Sequence, residues 1–361
     1  MTSKERVLTA VAHRQPDRVP VDYGAHGEVD RRLREYLGLS PTDDLYSLLE
    51  LDLRGVGPGI KPEATASPIC YADPTKKVTD DGLYIDLWGV GFRRATTPTG
   101  DYIDIAYHPL AGLQSEDELE AWEYMDPDDW DYSIVRPGAE ACSQYCVWAH
   151  CRGAFEISWF MRGLDGFMTD LALEPSKALG LYDRVQERLK ERLRRILVAG
   201  GDAIDMAEYN DDMGTQRGLM MSPDMWRRYM KPRVAEMFAL IKSFGKVVRY
   251  HSCGGVRAIL PDLIEIGLEV LTPFQPLADG MEPLALKRDF GRDLTFLGGI
   301  DMQEMLPNAK PQEVRDEVQR LLDVLNVDGG WIACSSHNLQ PDTPPENIVA
   351  MYEVLLGHPL K

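Results

Sequence analysis

From Cys146 onward the chain repeats one unit, a short apolar run rich in β-branched residues followed by a longer segment with helical spacing. The apolar runs fall at 146–151, 203–208, 246–251, 268–273, 295–299 and 331–335. Helical segments lie between them, among them 175–197, 223–244, 258–266 and 311–324. Alternating β and α units imply a parallel sheet, because parallel neighbours need a crossover long enough to hold a helix. Two earlier runs, 19–23 and 52–56, bring the strands to eight, the number that closes a (β/α)8 TIM barrel, and 361 residues suffice for one. The competing doubly wound sheet is weaker, since no G-x-G-x-x-G follows a strand and no P-loop is present. The expectation is one α/β barrel domain over 1–361. It carries an N-terminal helical extension (3–13, capped by Ser3, and 27–37) and an antiparallel β-hairpin insertion near residues 76–106.

A formal net charge of −19 argues against nucleic acid and anionic membrane as partners, which call for clustered Lys and Arg. It also disfavours a very acidic substrate unless local arginines override the field. No window approaches a membrane span, and the first residues show no basic stretch leading into an apolar one. The six cysteines have no framework spacing, so they read as reduced thiols of a cytoplasmic enzyme, with Cys142 and Cys146, at helical spacing, structural.

The chemistry concentrates in residues 246–255, Lys-Val-Val-Arg-Tyr-His-Ser-Cys-Gly-Gly, a buried strand running into a glycine turn. His251 and Cys253 are two residues apart, so a persisting pleat sends both side chains to one face, where they can hold a borderline metal such as zinc. A half-buried histidine beside a small cysteine is the plain alternative. The other strand ends add Asp205, Glu208, Tyr209, Asp211 and Asp212, then Gln275, then Asp301, then Cys334 and His337. In a barrel these strand ends form the catalytic rim. Glu208 can be a ligand, a general base or the partner of Arg249, and the pairing is favoured. Asp211 and Asp212 can cap the loop before Gly214 or serve the substrate, Asp301 can bind substrate or cap a helix, and Cys334 fits a core position. Trp148, Phe155, Trp159, Tyr209, Tyr250 and Phe274 are candidates to wall an apolar substrate pocket.

These residues resemble the uroporphyrinogen decarboxylase superfamily. The similarity rests on residues 329–348 (Gly-Gly-Trp-Ile-Ala-Cys-Ser-Ser-His-Asn onward), on 4–8 and 16–20, on 211–214 with 221–223, and on Gly-Gly-Ile-Asp at 298–301. The resemblance spans nearly the whole chain and implies a (β/α)8 barrel. True porphyrinogen decarboxylases carry an arginine in the N-terminal motif that grips substrate carboxylates. The matching residues 20–27 contain none, which points away from a polycarboxylate substrate.

The cobalamin-dependent methyltransferase branch instead holds zinc on H-x-C and a distant third ligand, usually Cys. The resemblance places the metal on His251 and Cys253. Registering on Thr343-Pro344 puts the third ligand on His337, with Cys334 as the fallback. A neutral imidazole in place of a thiolate makes such a zinc a better Lewis acid toward oxygen. What the resemblance then implies is the methyltransferase of an O-demethylase system. It would take methyl from a methyl ether, aromatic by preference, and pass it to the cobalt of a corrinoid (cobalamin) protein. Asp211, Asp212 or Glu208 would supply a proton, and a homodimer is one assembly it could form. The rival readings are a metal-free decarboxylase binding carboxylate through Arg249 or Arg152, a methyltransferase delivering methyl to a thiol, and a non-catalytic corrinoid-binding barrel.

Overall fold

The computed structural model describes residues 1–40, 42–61, 79–97 and 100–360. Seven strands form one parallel sheet in chain order: β1 (Leu53–Val56), β2 (Cys146–Arg152), β3 (Met206–Asn210), β4 (Val247–His251), β5 (Val270–Phe274), β6 (Thr295–Ile300) and β7 (Trp331–Ser335). Residues 20–22 fill the eighth position. Ala333 N–H donates to Pro20 O at 2.8 Å and Asp22 N–H donates to Ala333 O at 3.0 Å, while Asp52 N–H donates to Val21 O at 2.9 Å. The segment thus bonds to β7 on one side and to the start of β1 on the other, closing a (β/α)8 barrel. It registers only as a single bridge, Val21 to Ala333, because Pro20 has no N–H to give the ladder.

Helices fill the crossovers, and prolines open many of them in the first turn, where a missing N–H costs nothing: Pro175–Gly200, Pro283–Phe290, Pro311–Leu325 and Pro345–Leu356. The expected helix over 223–244 is interrupted. A π-helical stretch, Trp226–Met230, precedes Lys231–Ser243, because Pro232 cannot donate back to the turn before it.

The floor of the barrel comes from the N-terminus. The helix Ser3–Val11 is capped by Thr2, one residue before the expected Ser3: Glu5 N–H donates to the Thr2 hydroxyl and Thr2 N–H donates to the Glu5 carboxylate. Its Val7 joins Leu53, Cys146, Met206, Val270, Leu297, Ile332 and Cys334 in the apolar cluster that fills the barrel. Asp52, fully buried just before β1, accepts from Arg6 Nη1 at 2.7 Å, Arg18 Nη1 at 2.7 Å and Val21 N–H at 2.9 Å. This clasp locks the helix, residues 20–22 and β1 together. Asp205, expected at the rim, sits at this floor and pairs with Lys4 at 2.6 Å, because β3 starts at Met206 and ends at Asn210, not at 208. With the floor closed, the C-terminal mouth is the end left for chemistry.

Against the helix Ala154–Arg162, where Phe92 meets Phe160, lies a three-stranded antiparallel sheet, Tyr84–Ile85, Gly91–Thr97 and Gly100–Tyr107, where hairpins were expected at 76–106; residues 76–78 and 98–99 of that span lie outside the described residues. Cys142 closes the helix Val135–Ala141 while Cys146 opens β2, so the two share no helix face. Cys142, Cys146, Cys151, Cys253 and Cys334 are free thiols, and Cys70 lies outside the described residues. Among the described residues no helix is long and apolar enough to cross a membrane.

Candidate metal centre

The pleat of β4 turns Arg249 and His251 into the barrel and Tyr250 out toward the helices, and Cys253 follows two residues beyond the strand. The loop that carries Cys253 is held at every step. Asp211 N–H donates to His251 O and Ser252 N–H to Thr272 O, both at 2.8 Å, and Ser252 Oγ accepts from Met213 N–H at 2.8 Å. Cys253 N–H donates to Asp212 Oδ1 at 2.8 Å, Gly254 N–H to Gln275 Oε1 at 2.6 Å and Gly255 N–H to Thr215 O at 2.8 Å. Gly254 has φ +81°, and a Cβ there would stand 2.5 Å from Thr215 O, so only glycine fits. His337 arrives from the loop after β7, where Ser336 N–H donates to Ile300 O at 2.7 Å and Ser335 Oγ donates to His337 O at 2.7 Å.

The result is a cluster. The ligand atoms of His251, Cys253 and His337 all lie within 4.8 Å of one another, and Cys253 Sγ is 3.5 Å from His251 Nε2. Tetrahedral ligands on bonds of about 2.0–2.3 Å stand roughly 3.3–3.8 Å apart, so this set of two imidazole nitrogens and one sulfur suits zinc. Burial, then the neighbouring His337, holds the His251 imidazole well below its ordinary pKa, and burial lowers His337 against the pull of Asp212. Both rings are therefore neutral near pH 7, the form that ligates a metal. Burial, with the Asp212 carboxylate, pushes the Cys253 thiol up; a dication would lower it again by displacing the proton. Cys334, the fallback ligand, belongs to the barrel filling, and its thiol donates to Ser335 O at 3.2 Å.

Asp212 is the acid at the cluster, with Oδ1 3.6 Å from His251 Nε2 and a side chain 28% exposed. Asp211 faces away from it. Its carboxylate clasps the start of the helix Ala154–Arg162, accepting from Phe155 N–H at 3.1 Å, Glu156 N–H at 2.9 Å and the Tyr209 hydroxyl at 3.1 Å. Burial raises Asp211 to about 8, and the Glu156 and Phe155 N–H groups work against that rise. Glu208 pairs with Arg249 at 2.5 Å. Asp301 accepts from the N–H groups of Gln303, Glu304 and Met305, the capping role.

A cavity of about 270 Å³ sits against the cluster, lined among others by Asp22, Trp148, His150, Glu208, Arg249 and Cys334. Trp148 is at this wall, with the Arg249 guanidinium 4.1 Å above its ring. The expectation that Tyr209, Tyr250 and Phe274 wall the pocket is corrected. Tyr209 and Tyr250 follow Glu208 and Arg249 by one residue and so face the opposite side of the sheet. Phe274 follows a register shift in β5 and packs on Phe296. All three are fully buried between sheet and helices. Asp22 and His150 were not singled out from sequence, although the period of two already aligns His150 with Trp148 on β2.

The sequence profile of the uroporphyrinogen decarboxylase (URO-D) family matches residues 130–357. Uroporphyrinogen decarboxylase of Thermus thermophilus is 30% identical over 177 residues, 48% of this chain and 48% of that protein. Methylcobamide:CoM methyltransferase MtaA of Methanosarcina barkeri is 28% identical over 196 residues, 54% of this chain and 50% of that protein. The chain thus spans about half the length of these curated relatives. A methyltransferase from Methanosarcina mazei superposes with a TM-score of 0.66 over 99% of both chains at 17% identity, which fixes the barrel fold. With well over half of its length matched by the profile, the chain belongs to the uroporphyrinogen decarboxylase family.

Proposed function

We propose that the chain is a zinc-dependent methyltransferase that takes the methyl group of an aromatic methyl ether and passes it to the cobalt of a corrinoid protein, an O-demethylation. The observation that carries this reading is the convergence of His251, Cys253 and His337 beside a cavity at the barrel mouth. Similarity to a methylcobamide methyltransferase supports it. Zinc held by these three side chains would supply Lewis acidity toward the ether oxygen, greater with two neutral imidazoles than with added thiolates.

The remaining work falls to the protein. Trp148, with the Arg249 guanidinium over its ring, adds apolar wall to the cavity against which an aryl ring would pack. In the transfer the methyl–oxygen bond would break, the cobalt(I) of the partner would supply the electron pair that takes the methyl carbon, and the phenolate oxygen would keep the pair from the broken bond. Asp212, partly exposed and 3.6 Å from His251 Nε2, would pass a proton from solvent to that oxygen. Glu208 and Asp211 act as positioning residues, the first as counterion of Arg249, the second by holding the loop of Asp212. Arg249 already has Glu208 as its counterion, which disfavours it as the anchor of a polycarboxylate.

A second reading has the methyl group travel from the corrinoid to a thiol, and the Methanosarcina barkeri relative is named a methylcobamide:CoM methyltransferase. One anaerobic experiment separates the two. Zinc-loaded protein is mixed with cob(I)alamin and 2-methoxyphenol, and in parallel with methylcobalamin and a small thiol. Loss of the cobalt(I) absorbance with release of catechol supports the ether reading. Transfer in the thiol arm alone replaces it with the second.

A further inference from the structure

The cavity at the metal cluster shares one wall residue, His150, with a larger chamber of about 420 Å³. Ile60, Leu87, Trp88, Met125, Trp130 and Leu189 make its walls largely apolar. Two guanidinium groups, Arg152 and Arg192, also face it, and among the described residues no Asp or Glu lines it. Arg152 has Glu156 at 2.8 Å. Arg192 has no carboxylate within ion-pair distance among the described residues. Its Nη1 donates to His150 O at 3.3 Å, its guanidinium carbon lies 4.0 Å from the Trp130 ring centroid, and its covered Nε donates to nothing. The acidic groups that act on its charge are Cys151 and Tyr132, both neutral near pH 7.

A guanidinium does not shed its proton, so even the partial burial of Arg192 leaves a charge whose lost hydration an anion would offset. The cation–π contact with Trp130 and the one backbone carbonyl offset part of that loss, but neither supplies a counter-charge. A planar fork with unused donors beside tryptophan faces suits a carboxylate carried on a flat apolar body. We propose that this chamber binds a small organic carboxylate, with the carboxylate on Arg192 and the apolar body against Trp88 and Trp130. The site goes beyond the metal-centre reading and does not depend on it. Its ligand is either the far end of the methyl donor, reaching past His150, or a separate acid.

Titration calorimetry on the zinc-loaded full chain tests this with benzoate and with benzamide, which has the same shape and no charge. Benzoate should bind at least about tenfold tighter, as a charge-assisted pair provides. Arg192→Gln should remove that advantage, Arg192→Lys should restore part of it, and Cys253→Ala should leave it intact, which keeps this result separate from the fate of the metal site. Equal affinity for the two probes in the wild type overturns the proposal even if Arg192→Gln fails to fold. So does unchanged benzoate binding in a folded Arg192→Gln. In cobalt(II)-substituted protein, a shifted visible spectrum with 4-methoxybenzoate identifies one molecule spanning both cavities, and binding without a shift identifies a separate ligand.

Discussion

The clasp at the barrel floor gives a quantitative test of how the barrel is closed. Asp52→Asn keeps the shape of the side chain and removes its charge. The carboxylate accepts Arg6 on Oδ1 and both Arg18 and Val21 N–H on Oδ2, so an amide in either orientation turns an N–H toward at least one of these donors. Removing one partner of a buried ion pair costs about 3–5 kcal/mol. The side chains of Arg6 and Arg18 are 11% and 18% exposed, and Arg6 keeps Asp17 at 2.7 Å, so the loss belongs at the lower end, about 3 kcal/mol. Urea unfolding followed by circular dichroism should show that loss as a lower midpoint with an unchanged slope. Bound zinc should be unaffected, because the cluster lies at the opposite end of the barrel. A loss below about 1 kcal/mol at unchanged slope would refute the view that this clasp, not the single Val21 bridge, holds the eighth position closed.

Gly254→Ala places a Cβ 2.5 Å from Thr215 O at φ +81°, so zinc should bind more weakly and stability should fall by about 1–3 kcal/mol; normal zinc affinity by competition with a chromophoric chelator would contradict this. Asp86 is raised to about 6 by burial although it accepts from the Trp88 and Val90 N–H groups. A raised folded pKa means its contribution is complete below about pH 4 and is lost as pH rises through about 6, so Asp86→Asn should be more stable relative to wild type at pH 7.5 than at pH 4. A constant difference between the two pH values in denaturant titrations would refute it. Tyr209→Phe strands the buried Ala154 N–H and removes a donor to Asp211, costing about 1–3 kcal/mol in thermal unfolding without changing zinc content.

The barrel was legible because its period is global. Six strand–helix repeats and two early runs suffice to name it, and small shifts, such as β3 running from Met206 to Asn210, leave the topology intact. The convergence of residues 251, 253 and 337 was legible for a different reason. His251 and Cys253 are local neighbours, but His337 joined them only through a resemblance. What failed was the facing of single side chains. Tyr209 and Tyr250 looked like rim aromatics, yet each stands one residue from an inward group, and a pleat of two sends it outward. Asp205 was misplaced because a run of apolar residues does not reveal where a strand begins. The floor helix was read only as an N-terminal extension, since nothing local in Val7 announces that it plugs a barrel. The Arg192 chamber was out of reach, because Ile60, Trp88, Trp130 and Arg192 meet only through tertiary packing.

The central claim is a three-residue metal centre, and zinc content by plasma emission tests it most directly. The measurement compares wild type with Cys253→Ala, His337→Ala and Cys334→Ala, each checked for folding by circular dichroism. About one zinc per chain is expected in the wild type and in Cys334→Ala, with loss of zinc in the other two. Zinc retained in His337→Ala and lost in Cys334→Ala would move the third ligand into the barrel filling and contradict a centre built on His337. A wild type that binds no zinc after reconstitution would remove the centre altogether.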